Sequence, residues 1–425
     1  MRRAVVTVVA GVLAVLALTG ASAPPVPDDP ADPVRKAEYW IDKYGIRDAW
    51  NTTRGAGVKI AVIDTGVGHS PELDPAVVGG TDVSGVGAAD GRTPVGAVDA
   101  SHGSWVASLA AARGTGDGKG MIGVAPEAGI LAISVGFGAT SQIAFTKQVA
   151  DAMHWAVDHG AKVINLSFTT NTLDWDESWD DAFEYAFSHD VVVVVAAGNR
   201  GSGTTRVGAP ATIPGVLTVG GVDPSGKASV EASTQGITIG VSAPSEQLLG
   251  VSANGDVVTW NGTSGAAPIV AGIVALVRAA HPDLDANNVI ERIIKTARPA
   301  SDATSVPDAI YGYGLVDAAA AVSAKVPLVS SNPMGSLEDW IRLYRRANSQ
   351  PGAPTPSATP IAVPALPRAD AVSPAGSALM PSANSLLYGT IPLMALTVPA
   401  ILVALGVTAA VRRIRSARRQ RPPSS

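Results

Sequence analysis

Five consecutive valines, Val191–Val195, are the strongest constraint on how this chain can fold. A run of β-branched residues without polar alternation is typical of a strand that is buried on both faces. Two similar runs precede it, GVKIAVIDTG at Gly57–Gly66 and VINLSF at Val163–Phe168. Segments with helical patterning separate these runs, at Ser141–His159 and Asp174–Phe187. The alternation predicts an α/β fold with a doubly wound, largely parallel sheet and helices on both faces.

A tight turn followed by an apolar helical segment marks a candidate nucleophile. Asn261–Gly272 reads NGTSGAAPIVAG, so Ser264 stands in a Gly-Thr-Ser turn directly before residues with helical spacing. A sharp turn exposes a hydroxyl, and a helix start offers unpaired N–H groups that stabilise a developing oxyanion. A plain junction between a loop and a helix is the alternative for Gly-Thr-Ser alone. The whole twelve-residue string favours a catalytic serine.

Two further residues would complete a catalytic system around Ser264. Asp64 ends a predicted buried strand, where the catalytic groups of open α/β sheets collect. His102 begins a helix of small residues, Ser101–Ala112. The aspartate would accept the second imidazole N–H, and the histidine would take the proton from the serine hydroxyl. The alternatives are a structural histidine and a turn or cap aspartate, and the strings VIDTG and SHGSWVAS favour the catalytic roles.

Three other segments bear on the shape of this site. Asn199 ends the valine strand in AAGN, so its amide would serve as an oxyanion donor; a turn asparagine is the alternative. Residues 79–100 are rich in glycine and predict a loop. Val34–Trp50 is rich in large apolar side chains and predicts a short helical segment that docks on the domain.

Together these motifs resemble the subtilases, the subtilisin-like serine proteases. The resemblance covers roughly residues 36–323 and rests on strings in one consistent order: VIDTG, HGSWVAS, GVAP, VINLS, AAGN, PATIPGVLTVGGVD, SAP, NGTSGAAP and GLVDAAAAV. Asp, His and Ser follow one another in the order that subtilisin has. The resemblance implies that Ser167 and Phe168 lie on a strand that pairs with substrate backbone. It also implies a cis bond between Ala209 and Pro210.

Three residues depart from the subtilase pattern, but none removes a reacting group. Ser104 stands where threonine is usual, and Gly265 follows the nucleophile where a larger residue is common. The glycine would loosen the helix start by about 1 kcal/mol relative to alanine. Thr169 stands where many subtilases have glycine, which would narrow the substrate pocket. An esterase or lipase is disfavoured, because the G-x-S-x-G elbow and the order Ser, Asp, His are both absent.

Composition narrows the classes of function that remain. The 425 residues include no cysteine, which excludes disulfides, a cysteine nucleophile and thiolate metal sites. Net charge is −5, and without the eight arginines at its two ends the chain carries −13, which argues against nucleic acid as a partner.

An acidic run from Asp174 to Glu184 would select basic substrates or bind calcium, although a solvated helix face is the simpler interpretation. We expect no cofactor and no metal site; a structural calcium ion stays open, because no ligands can be assigned to it.

Both ends of the chain carry membrane-related patterns. Arg2 and Arg3 precede an apolar run and the small-residue pattern ASA, which predicts a secretory signal; an uncleaved anchor is the alternative. Ile391–Val411 has no charged residue and is long enough to cross a hydrocarbon core of about 30 Å. Arginines follow it directly, and such residues stay cytoplasmic. The predicted order is signal peptide 1–23, leader 24–35, subtilisin-like peptidase domain 36–325, Pro/Ala/Ser-rich spacer 326–386, transmembrane helix 387–411 and basic cytoplasmic tail 412–425.

This order resembles the mycosins, the membrane-anchored subtilases of type VII secretion systems in actinobacteria, although mycosins usually carry disulfides. The resemblance implies a single-pass protein of the cell membrane, with its catalytic domain outside the cytoplasm and its C-terminus inside. It also implies protein or peptide substrates and the type VII secretion membrane complex as a partner. Two functions stay open: a serine endopeptidase that cuts exported proteins, or a structural component of a secretion complex whose fold matters more than its cleavage.

Overall fold

A seven-stranded sheet with parallel pairing throughout lies at the centre of the protein, as the valine-rich runs predict. The computed structural model describes residues 31–96, 100–138, 141–345, 369–371, 406–411 and 413. The spatial order of the strands is β2-β3-β1-β4-β5-β6-β7. Their bounds are β1 (Lys59–Asp64), β2 (Val77–Asp82), β3 (Gly129–Ser134), β4 (Val163–Leu166), β5 (Val192–Ala196), β6 (Leu217–Val222) and β7 (Ile239–Pro244).

Helices cover both faces of this sheet. The helices from residue 33 to residue 345 are α1 (Pro33–Ala37), α2 (Tyr39–Lys43), α3 (Ile46–Ala49), α4 (His102–Ala111), α5 (Phe145–Asp158), α6 (Ser178–Ser188), α7 (Thr263–Ala280), α8 (Ala286–Lys295), α9 (Ala318–Ser323) and α10 (Leu337–Trp340), with a 3-10 turn at Arg200–Ser202 and a π-helical turn at Ile341–Arg345. Along β5, Val192 and Val194 join the core that contains α4, α7 and α8. Val193 and Val195 join a second core with α5 and α6. The uninterrupted valines therefore reflect a strand with no polar face.

Helix α7 is the central helix of the larger core. It is buried from Thr263 to Arg278 and packs against α4 and the strands β4, β5, β6 and β7. Its small residues permit close packing, since a Cβ added to Gly272 would lie 2.5 Å from the Cβ of Val124. Within the described ranges, α7 is the one helix long and apolar enough to cross a membrane, but 89% of it is buried inside the protein. It therefore belongs to the interior of the folded body.

Before residue 345, two strands lie where the sequence pattern predicts none. The glycine-rich stretch 79–100 predicts a loop, yet strand β2 extends to Asp82, so the prediction is wrong for residues 79–82. The physical reason is close backbone approach: a Cβ on Gly80 would lie 2.0 Å from the carbonyl oxygen of Asp90. The other unexpected strand, β8 (Leu248–Val251), pairs antiparallel with β9 (Val257–Trp260). Four residues containing a glycine are too few to show a strand pattern.

The N-terminal segment docks on the body through α1, α2 and α3, as its apolar residues predict. Trp40 and Tyr44 are fully buried in the larger core. The buried carboxylate of Glu38 accepts a 2.8 Å hydrogen bond from the backbone N–H of Ile122. This segment is therefore an integral part of the folded domain.

The packed body continues past residue 325, the end predicted for the peptidase domain, as far as Arg345. Leu337 is buried in the core that contains α6. The ring of Trp340 lies 4.4 Å from that of Trp175. Arg345 donates from Nε to Asp180 at 2.9 Å and from Nη2 to the carbonyl of Trp175 at 3.0 Å. Asp180, one of the acidic residues of α6, is thus paired with an arginine from beyond the predicted end of the domain.

A second compact unit comprises residues 371–425. Strand β10 (Ala369–Ala371) lies at the boundary, and residues 406–411 are helical with exposed side chains. The predicted signal peptide, most of the leader and spacer, residues 387–405 of the predicted span and nearly all of the basic tail lie outside the described residues.

The contact between Arg345 and Asp180 predicts that Arg345 stabilises the fold more than the nearby Arg342 does. Arg345→Ala should lower the free energy of unfolding by about 1–2 kcal/mol, because it removes charge-assisted bonds to a side chain that is 16% exposed. Arg342→Ala, the matched control, removes an exposed pair with Asp339 and should change it by less than about 0.5 kcal/mol. Thermal unfolding of the purified full-length variants measures both. Equal midpoints for the two variants would contradict the assignment.

Candidate active site

The carboxyl ends of three adjacent strands bring the predicted site residues to one edge of the sheet. Asp64 is the last residue of β1, Ser167 follows β4 directly, and Asn199 follows β5 by three residues. The strands are neighbours in the order β1-β4-β5, with Ile63 opposite Leu166. The N-terminus of α7 meets the same edge, because Ser264 Oγ reaches the carbonyl of Ser167.

Asp64 and His102 form a fully buried pair. The imidazole Nδ1 lies 2.8 Å from Asp64 Oδ1, and neither side chain has any exposed surface. The same Oδ1 accepts a 2.7 Å hydrogen bond from the backbone N–H of Thr65, which fixes the carboxylate. A carboxylate on Nδ1 keeps the proton there and leaves Nε2 as the basic nitrogen. Within the described part of the chain, no group bonds to the buried Nε2.

The start of α4 is built to hold His102 against the sheet. Thr65 Oγ1 accepts from the backbone N–H of Gly103 at 2.8 Å. A Cβ on Gly103 would lie only 2.3 Å from the carbonyl oxygen of Gly66, so this close approach requires glycine. The rings of Trp105 and Trp260 lie edge-on to the imidazole, with centroids at 5.9 and 5.5 Å. These contacts leave the imidazole little freedom to rotate.

Ser264 is the second residue of α7, so the helix already includes the turn that the sequence predicts to precede it. Its hydroxyl donates to the carbonyl of Ser167 at 2.9 Å, and the expected hydrogen bond to His102 Nε2 is not made in this structure. The next residue, Gly265, and His102 flank the same indole ring of Trp260. The structure therefore pairs Asp64 with His102 and places Ser264 beside a different acceptor.

Asn199 holds the nucleophile helix by its side-chain oxygen. Oδ1 accepts from the backbone N–H of Thr263 at 2.7 Å and from Thr263 Oγ1 at 3.0 Å. The Thr263 hydroxyl in turn accepts from the backbone N–H of Gly198 at 3.0 Å. This arrangement fixes the amide so that Nδ2 points away from Thr263, and no described group accepts from it. The side chain is not a helix cap of the adjacent 3-10 turn, so the interpretation as a plain turn asparagine does not explain its contacts.

The side chains of the two residues predicted to bind substrate are occupied inside the protein. Ser167 is fully buried, and its hydroxyl donates to the carbonyl of Ser264 at 2.8 Å. The ring of Phe168 packs edge-on against those of Phe137 and Phe145. Only the backbone of this segment is left for the predicted pairing with a substrate chain.

Thr169 packs beside the backbone that leads to Asn199. Its Oγ1 donates to the carbonyl of Gly208 at 3.0 Å and so crosses to the segment that carries the cis bond between Ala209 and Pro210. That cis bond confirms the prediction. Gly198, which precedes Asn199, has a φ of +103°, and a Cβ there would lie 2.7 Å from Thr169 Cγ2. The methyl groups of Thr169 and Thr204 therefore pack closely beside the backbone of Gly198.

The acidic run offers a structural contact that sequence analysis missed. Asp180 accepts hydrogen bonds from Trp175 Nε1 and from Arg345 Nε, so this acid of the run binds the segment that follows the predicted end of the domain. Burial, together with the carboxylates of Glu338 and Asp180, raises the pKa of Glu184. Across the described ranges, no three His, Asp or Glu side chains gather into a metal-like cluster, and structural calcium stays unassigned. The arginines that follow residue 340, Arg342, Arg345 and Arg346, were the available signal for the contact.

Comparison with known proteins identifies relatives of the whole body. The family model of peptidase S8, the subtilase family, matches residues 55–314, more than half of the chain. Mycosin-4 of Mycobacterium tuberculosis is 34% identical over 317 residues, which are 65% of this chain and 67% of Mycosin-4. Fervidolysin of Fervidobacterium pennivorans is 31% identical over 351 residues, 75% of this chain. The chain spans about half of the length of fervidolysin, 48%.

A solved structure shares the fold. The crystal structure of MycP1 from the ESX-1 type VII secretion system matches with a TM-score of 0.61 and 29% sequence identity. The match covers 73% of this chain and 92% of MycP1.

Proposed function

Since this chain belongs to the subtilase family of serine proteases and is related to the mycosins, we propose that it is a membrane-anchored serine endopeptidase that hydrolyses peptide bonds of exported proteins. Asp64, His102 and Ser264 form its triad, and Asn199 is its oxyanion donor. The observation that carries the proposal is the buried 2.8 Å pair of Asp64 and His102, with Nε2 unbonded at the edge where α7 begins.

Each group has one role in the reaction. Ser264 Oγ attacks the carbonyl carbon of the substrate, and its proton passes to His102 Nε2 as the new C–O bond forms. Asp64 stabilises the resulting imidazolium through Nδ1–H, and Asn199 Nδ2–H donates to the oxyanion. The C–N bond then breaks as Nε2 returns the proton to the leaving amine. Water repeats the sequence on the acyl-enzyme and releases Ser264.

The serine hydroxyl has to exchange its acceptor before this reaction starts. At rest it donates to the carbonyl of Ser167 at 2.9 Å, and that carbonyl belongs to the segment expected to pair with substrate backbone. A substrate N–H that donates to the Ser167 carbonyl would compete with the hydroxyl for it. Rotation about the Cα–Cβ bond of Ser264 then turns the hydroxyl toward Nε2. Substrate binding and activation of the nucleophile are linked in this way.

Sequence features beyond the catalytic body support the anchoring and the secretion link. The uncharged stretch Ile391–Val411 would span the membrane once, and the arginines after it would hold the C-terminus in the cytoplasm. The relative MycP1 belongs to the ESX-1 type VII secretion system. We extend a type VII secretion role to this chain on those two grounds.

Reactivity of the serine tests the proposed chemistry. A fluorophosphonate probe should label the full-length protein and spare Ser264→Ala. Asn199→Ala should lower kcat by about 10²–10³-fold, the usual cost of one lost oxyanion donor. Asn288→Ala, a buried asparagine that bonds Asp285 and the carbonyl of Val329, is the control and should leave kcat unchanged. Equal labelling of wild type and Ser264→Ala, or of neither, would count against the proposal.

Thr169 should restrict the residue on the N-terminal side of the cleaved bond to small side chains. Thr169→Gly should raise kcat/KM for phenylalanine relative to alanine at that position by about 10-fold or more, because it opens a filled space. Thr169→Ser keeps the hydroxyl bonds and should give a smaller increase. Thr212→Ser, at a half-buried threonine whose hydroxyl donates to the carbonyl of Leu173, is the control. A Thr169→Gly variant with the wild-type preference would refute this role.

A secretion assay distinguishes a protease that cuts exported proteins from a structural component of the secretion complex. In the organism that encodes this chain, deletion should block export of type VII substrates, and Ser264→Ala should alter processing of a cut substrate. Immunoblots of culture supernatants measure both. If Ser264→Ala processes substrates like wild type while deletion blocks export, the structural role is the correct one.

A further inference from the structure

Pro268 leaves the carbonyl of the nucleophile without its helical partner. In an α-helix the carbonyl of residue i accepts from the N–H of residue i+4. Pro268 stands four residues after Ser264 inside α7 and has no N–H. Ser264 is nearly buried, at 4% exposure, so water does not readily replace the missing donor.

The hydroxyl of Ser167 takes the place of that N–H. Ser167 Oγ donates to the Ser264 carbonyl at 2.8 Å. Asn165 Nδ2 donates to Ser167 Oγ at 2.8 Å, so the single proton of the hydroxyl is directed at the carbonyl. Asn165 and Ser167 are both fully buried at the end of β4. The donor is therefore supplied by the sheet, on which the nucleophile helix rests.

Two opposite hydrogen bonds join the same two residues. The Ser167 side chain donates to the Ser264 backbone, and the Ser264 side chain donates to the Ser167 backbone. The second bond has to break for catalysis, whereas the first can persist throughout the reaction. The first bond thus fixes the position of the Ser264 backbone while its hydroxyl changes partner.

We propose that the side chain of Ser167 is a positioning residue for the nucleophile, distinct from the substrate-pairing role expected of its backbone. It fixes the first turn of α7 so that Ser264 Oγ can reach His102 Nε2, and so that the oxyanion of a substrate bonded to Ser264 can reach Asn199 Nδ2, without a shift of the helix. The inference rests on the proposed function, since it assumes that Ser264 is the nucleophile. Without the hydroxyl, a buried carbonyl loses its donor and the helix start moves to find another.

A proline substitution makes the idea testable by rescue. Ser167→Ala should slow fluorophosphonate labelling and lower kcat by about threefold to tenfold, with KM nearly unchanged, the effect of one lost buried hydrogen bond. Pro268→Ala restores an N–H four residues after Ser264. In the Ser167→Ala background it should recover at least half of the lost rate on a logarithmic scale. A role in packing alone would give no such recovery.

The controls separate the possible failures. Ser134→Ala removes another buried serine hydroxyl, at the end of β3, which β1 separates from β4. That hydroxyl has no partner among the described residues, and the variant should label like wild type. Thermal midpoints establish that each full-length variant is folded at the assay temperature. If Ser167→Ala is not, Asn165→Ala keeps the hydroxyl but removes its orienting donor, and should show a smaller loss that Pro268→Ala again repairs.

Two results would overturn the inference. Ser167→Ala (or Asn165→Ala in its place) could label at the wild-type rate, or the double variant could be no faster than the single one. Labelling of Ser264→Ala is measured in parallel. If that variant is labelled, the proposed nucleophile is wrong; if it is not, a failure of the rescue counts against the role of Ser167 alone.

Discussion

The docking of one buried helix onto one edge of a parallel sheet underlies the whole site. Helix α7 is about 27 Å long at 1.5 Å per residue, and it packs against β4, β5, β6 and β7. Its first turn is tied to the strand ends by Thr263 through Asn199 and by Ser264 through Ser167. The apolar residues farther along α7 position this turn, because their packing in the core fixes how the helix lies against the sheet. The packing of α7 in the core therefore also sets the position of the site residues in its first turn.

Hydrogen bonds at this edge divide into those that hold and those that can exchange. Asp64 is held by the Thr65 N–H, α4 by the Thr65 hydroxyl, and the Asn199 amide by Thr263. In the proposed function, the groups that meet the substrate are the Ser264 hydroxyl, which donates to the Ser167 carbonyl at rest, the unbonded imidazole Nε2 and the Asn199 Nδ2. A buried polar atom without a partner is costly unless something else occupies it during function. The unbonded Nε2 fits a site that is completed by its substrate.

The sequence predicted the elements that have a hydrophobic pattern and the residues that stand in motifs. The valine runs indicated a strand buried on both faces, and the strings around Asp64, His102 and Ser264 placed each residue at the end of an element, where the structure has it. Strand β2 was missed because Gly80 is required by a backbone contact, which a single sequence does not reveal. The contact between Arg345 and Asp180 was missed because residues 165 apart meet only after folding. The resting bond from Ser264 to Ser167 was beyond reach for a similar reason: motifs name reacting groups, whereas competition among nearby acceptors decides their resting partners.

The most direct measurement of the central claim is a crystal structure of the protein after reaction with a fluorophosphonate. We expect a covalent bond from Ser264 Oγ to phosphorus, with a phosphoryl oxygen about 3 Å from Asn199 Nδ2 and His102 Nε2 turned toward the adduct. The Ser167 hydroxyl should still donate to the Ser264 carbonyl. An adduct on a different residue, or one whose oxygen lies far from Asn199 while His102 faces elsewhere, would contradict the account.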